Sequence, residues 1–132
     1  NYSQSNMKKV INSKNAPDPV GPYNQAILVD GTLYLSGQIA LDPKTMEMDN
    51  SSIEIETVRV LNNINSVLEE ANFSFNDIIK TTIFLTSMED FTVVNEIYGK
   101  RFEKESAPAR ETIEVSGLPK NARIEISVIA KK

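Results

Sequence analysis

The chain contains no cysteine, no histidine and no tryptophan. Without cysteine there is no disulfide framework, no thiolate nucleophile and no thiolate metal site. Without histidine there is no Ser-His-Asp triad, no imidazole base and none of the usual zinc ligand sets. Acid–base chemistry must therefore run through Asp, Glu, Lys, Tyr, hydroxyls or water. Glycine is scarce: Gly21, Gly31, Gly37, Gly99 and Gly117 fit neither a dinucleotide fingerprint nor a phosphate-cradling loop. No apolar run approaches the roughly 20 residues of a membrane span. The formal charge of −4 lacks the basic excess of a general nucleic-acid binder. These absences lead to the expectation of a soluble cytoplasmic protein, with a mitochondrial location left open, and disfavour membrane and nucleic acid as partners.

What is present suits one domain, since 132 residues can enclose a core without covalent staples. Residues 1–6, polar and ahead of Met7, read as a non-native remnant, leaving 7–132 as a single domain. Pro17, Pro19 and Pro22 exclude helix and central strand and predict an ordered loop after a short strand at about 8–11. Asp30-Gly31 between the β-prone runs 26–29 and 32–36 is a strong hairpin signal. Asp42-Pro43-Lys44-Thr45 reads as a turn.

Residues 51–71 predict a helix, with Val60, Leu61, Ile64, Val67, Leu68 and Ala71 forming one apolar stripe. Ser51 with Glu54 has the form of a capping box, and Asn72 suits the left-handed stop. Residues 78–85 predict a strand buried on both sides, and 90–104 a second helix with Phe91, Val94, Ile97, Tyr98 and Phe102 inward. Two alternating strands follow, at 110–115 and 123–130. The order βββαβαββ makes one sheet with two helices on one face, an α+β fold. Its uncovered, partly apolar face predicts a symmetric homo-oligomer.

The candidate chemistry is Arg110 with Glu125, expected on the non-helix face of adjacent C-terminal strands. Pro108-Ala109 stiffens the approach to Arg110, and a fixed guanidinium binds a planar carboxylate through two parallel charge-assisted hydrogen bonds. The competing reading is a structural ion pair of Arg110 with Glu125 or Glu114. Tyr23, held by Gly21-Pro22, either donates to an oxyanion or plugs the sheet edge. Gly37, in Ser36-Gly37-Gln38 at a strand end, lets a ligand approach backbone N–H groups. Asn95 interrupts the apolar stripe of the second helix, where an exposed Asn is the ordinary reading. Asp42 with Glu47, and Glu89 with Asp90, read as turn and helix-start acids rather than metal ligands.

Taken together, Gly21-Pro22-Tyr23 with Gln25, Ser36-Gly37-Gln38-Ile39, Val94-Asn95 with Tyr98, Pro108-Ala109-Arg110, Leu118-Pro119 and Ile124-Glu125-Ile126 resemble the YjgF/RidA family. The resemblance covers the chain from about Lys9 onward. It implies a chorismate-mutase-like fold, a homotrimer with sites at subunit interfaces, and hydrolysis of reactive 2-enamino and 2-imino acids to 2-keto acids and ammonia. It implies no metal and no organic cofactor. By the same resemblance Arg110 holds the substrate carboxylate and Glu125 positions or activates water. Tyr23, Ser36 and Asn95 line the pocket, while backbone near Gly37 and Thr112 completes it. Some relatives carry Cys where Thr112 stands, so thiol-based roles are not available here. The expected activity protects pyridoxal enzymes from reactive intermediates. The alternatives are a 2-keto-acid-binding regulator without turnover and, least favoured, a translation-inhibiting endoribonuclease.

Overall fold

The computed structural model describes residues 7–132, and the reading of residues 1–6 lies outside the described residues. Strands β1 (Lys9–Ile11), β2 (Ala26–Val29) and β3 (Thr32–Leu35) precede helix α1 (Ile53–Glu70). Strand β4 (Ile78–Leu85), helix α2 (Phe91–Gly99) and strands β5 (Ala109–Glu114) and β6 (Ile124–Lys131) complete the expected order. One six-stranded mixed sheet results, ordered β1-β2-β3-β6-β4-β5. All its pairs are antiparallel except β4 with β5.

Local chemistry explains most elements. Asp30 and Gly31 adopt φ of 49° and 78°, the left-handed pair that a two-residue hairpin requires. Asp42 closes its turn by accepting from the Lys44 and Thr45 N–H groups. Asn72, at φ 63°, follows α1 as expected. The cap at the other end is Ser52, whose hydroxyl accepts from the Ile55 N–H, rather than a Ser51–Glu54 box. Helix α2 stops at Gly99, short of residue 104; a glycine carries a helical cost that the few residues beyond it do not offset. Phe102 still packs on Tyr98, with ring centroids 4.8 Å apart.

The core lies between the sheet and the two helices. Leu61, Ile64 and Leu68 of α1 meet Ile83 and Leu85 of β4 and Ile124 and Ile126 of β6, all essentially fully buried. Each such side chain contributes about 1.5–3 kcal/mol on burial. Strand β4 is buried on the helix side only: Thr81, Ile83 and Leu85 are buried there. Lys80, Thr82 and Phe84 on the other face are only partly covered, since no helix lies over it, and Ile79, at an irregularity in the strand pairing, is 49% exposed. Val10, Tyr34 and Ile113 share that exposure on the uncovered side.

Candidate active site

Strand order separates the two residues expected to converge. β4 lies between β5 and β6, so Arg110 is in register with Thr81 and Glu125 with Phe84. Three residues along the strand and two strand spacings put their Cα atoms about 14 Å apart. They also face opposite ways. Parallel partners share a face, and the partner of Arg110, Thr81, is fully buried beneath α2. Glu125 alternates with buried Ile124 and Ile126 and turns to the open side. The expectation of one shared face on adjacent strands is therefore wrong for a single chain. Strand β5 is an edge strand beyond the main helix cover, so Ile113 is not drawn inward and Arg110 lies along the flank of α2.

Two half-sites result. The first is a cavity of about 400 Å³ at the open side, with Tyr23, Ser36, Gly37 and Glu125 in its lining. Burial pushes the Glu125 carboxyl above the ordinary glutamate range. A Cβ on Gly37 would lie 2.8 Å from Glu125 Cδ, so the carboxyl occupies space that only glycine leaves open. The Tyr23 phenol oxygen accepts from the Val20 N–H at 3.3 Å, which leaves its own proton free to donate. The Ser36 hydroxyl donates to the Asn24 carbonyl at 2.7 Å and keeps its lone pairs for a donor in the cavity.

The second half-site lies at the α2–β5 flank. The Arg110 guanidinium carbon stands 5.0 Å from the Tyr98 ring centroid and 5.9 Å from that of Phe91. Tyr98 is anchored in turn, its hydroxyl donating to Thr81 Oγ1 at 2.9 Å. Burial raises the Tyr98 phenol above its ordinary range, against the lowering influence of Thr81 and Arg110. Asn95 falls between Phe91 and Tyr98 at helical spacing and is exposed beside that stack. Thr112 is two residues from Arg110 on the same side of β5, and its buried hydroxyl has no partner.

Among the described residues neither Arg110 nor Glu125 forms an ion pair. Glu114 accepts from the Met88 N–H instead, so the structural ion-pair reading fails with either acid.

Two buried amides that carry the walls went unassigned from sequence. Gln25, 1% exposed, donates to the carbonyls of Ser13, Ala16 and Pro17 and accepts from the Ser13 N–H. Asn63, fully buried on α1, donates to the Ile39 and Leu41 carbonyls at 3.2 and 2.9 Å. An Asn beside the α1 apolar stripe was the available signal. Glu56, also fully buried, grips Arg123 through its backbone N–H and its Nε where β6 begins.

The profile of the family described as Endoribonuclease L-PSP, the YjgF/RidA family, matches residues 13–132. The chain belongs to that family. A RutC family protein from Pyrococcus horikoshii is 50% identical over 96% of this chain and 99% of its own length. The human protein named 2-iminobutanoate/2-iminopropanoate deaminase is 41% identical, covering 94% of this chain and 90% of its own. The crystal structure of a Rid family protein from Yersinia pestis superposes with a TM-score of 0.92 at 48% identity, covering 96% of this chain and all of the other. No helix among the described residues is long and apolar enough to cross a membrane.

Proposed function

We propose that the protein is a cofactor-free hydrolytic deaminase of 2-enamino and 2-imino acids, acting as a symmetric homo-oligomer, a trimer by family resemblance. Each working site then combines Arg110, Asn95 and Thr112 of one copy with Tyr23, Ser36, Gly37 and Glu125 of its neighbour. The observation that carries this reading is the pair of unmatched charges. The half-buried Glu125 carboxyl faces the cavity with no ion-pair partner among the described residues, and the stacked Arg110 guanidinium lies at a flank with none either. The human relative's name supplies the reaction class.

The chemistry asks little of the protein. Arg110 holds the substrate carboxylate through paired hydrogen bonds, which places the imine carbon against Glu125. With an enamine, the protonated Glu125 first delivers a proton to the terminal carbon, giving the iminium. Water then adds to the iminium carbon while Glu125 accepts its proton. That proton passes to the amino nitrogen, the C–N bond breaks and ammonia leaves, while the hydroxyl gives its proton back to Glu125 as the carbonyl of the 2-keto acid forms, restoring the protonated acid. A carboxyl titrating above its usual range is suited to both giving and taking a proton. Tyr23 is placed to hydrogen-bond the developing oxygen. An RNA-cleaving reading draws no support from a chain of charge −4 without histidine.

Mixing two crippled proteins tests the reading. Arg110→Ala and Glu125→Gln, each inactive alone, are unfolded together, refolded and assayed for keto-acid release from 2-aminoacrylate made in situ. Random assembly gives roughly a quarter of interfaces both intact halves, so about a quarter of wild-type activity is expected. No recovery in correctly assembled mixtures sinks the shared site. No turnover by the wild type sinks the deaminase, and retained 2-keto-acid binding in that case would favour the regulator.

A further inference from the structure

We infer that the site is built for 2-imino acids with bulky apolar side chains, isobutyl or benzyl in size, and that Ile39 and Leu41 set this preference. The inference rests on the deaminase reading and adds the identity of the substrate side chain.

The lining of the cavity includes the polar groups assigned to the reaction, Tyr23, Ser36, Gly37 and Glu125. Much of the remaining wall is hydrocarbon from Pro17, Val20, Ile39, Leu41 and Pro119. Leu41, 4% exposed and outside the main apolar cluster, backs this wall behind the half-buried Ile39. The shelf that carries Ile39 and Leu41 is fixed on two sides. The Gln38 N–H donates to the Ile126 carbonyl at 2.8 Å, and Asn63 holds both carbonyls from beneath. Gln25 fixes the opposite wall at Pro17. A recess formed in advance spends no binding energy on ordering itself when an apolar group enters.

The smallest substrate, 2-aminoacrylate, has no carbon that could reach such a wall. Asp18 and Lys120, at the rim, are exposed and opposite in sign, so they impose no charge on the side chain. Apolar contact is the remaining source of selectivity.

The experiment compares kcat/KM for imines released in situ by an L-amino-acid oxidase from alanine, 2-aminobutyrate, leucine and phenylalanine. The leucine-derived imine is expected to exceed the alanine-derived one by about tenfold or more. In Ile39→Trp the indole fills the recess, and that ratio falls by about tenfold. Ile39 is only half-buried, so the substitution does not enter the core. A flat or falling profile, or an unchanged ratio in the variant, overturns the inference and leaves the deaminase standing. Failure on every imine overturns the deaminase reading and the inference with it. Calorimetry on the unaltered protein reads the same wall without turnover: 4-methyl-2-oxopentanoate binds about tenfold tighter than pyruvate, and the reverse order refutes the preference.

Discussion

The two half-sites are built by different physics. The carboxylate half is a cavity walled by irregular backbone, with fully buried amides, Gln25 and Asn63, holding each wall in place. The guanidinium half has no enclosing wall; Arg110 lies against the rings of Tyr98 and Phe91 at the flank of the sheet. The first is preformed and partly desolvated, as a proton-transfer group needs. The second is supported but open, as a clamp for an arriving carboxylate needs. Each charge is left without its counterpart in its own chain, so acid and base cannot neutralise one another before assembly. On the proposed shared site, activity and association become one requirement.

Removing the acid should have the largest effect. Glu125→Gln is expected to lower kcat by about 100- to 10,000-fold while 2-keto-acid binding persists. If binding and turnover vanish together, Glu125 is structural and the contrast between the halves collapses. The same variant reads the energy stored at that wall. Burial raises the folded-state pKa of Glu125, so the fold holds this proton more tightly than the unfolded chain does. Stability from this group is therefore fully present below the unfolded pKa and is lost as pH rises through the raised one. At neutral pH, Glu125→Gln should melt at a higher temperature than wild type, and the difference should vanish in acid.

The clamp comes next. Arg110→Lys keeps the charge but not the planar fork, and should lose about 100-fold in kcat/KM through the two paired hydrogen bonds. Rates like wild type would refute the clamp.

Gly37→Ala is the finest probe. Its new methyl meets Glu125 Cδ and Cγ, so the carboxyl must swing out of place. Turnover should drop about tenfold or more, with 2-keto-acid binding by the Arg110 half less affected and the melting temperature nearly unchanged. Unaltered kinetics would mean the seat of Glu125 is looser than its contacts imply.

Much of this was legible in the chain because the signals are local. Asp30-Gly31 dictates its turn whatever surrounds it. The stripe along α1 and the alternation of β6 need only a core to face. The grouping of Arg110, Thr112 and Glu114 opposite Ile113 was also readable, since side chains on a strand alternate. The chosen face of the sheet was not readable. Alternation relates residues within one strand and carries no information about the layer lying above it.

The sequence by itself determined the elements, their order, the family and the residue types available for chemistry. Only the tertiary structure decided that β4 enters between β5 and β6, because strand order follows from long-range packing of α1 and α2 over the sheet rather than from any neighbour in sequence. That insertion holds Arg110 and Glu125 two strands apart, and the odd offset between their partners on β4, Thr81 and Phe84, turns them to opposite faces.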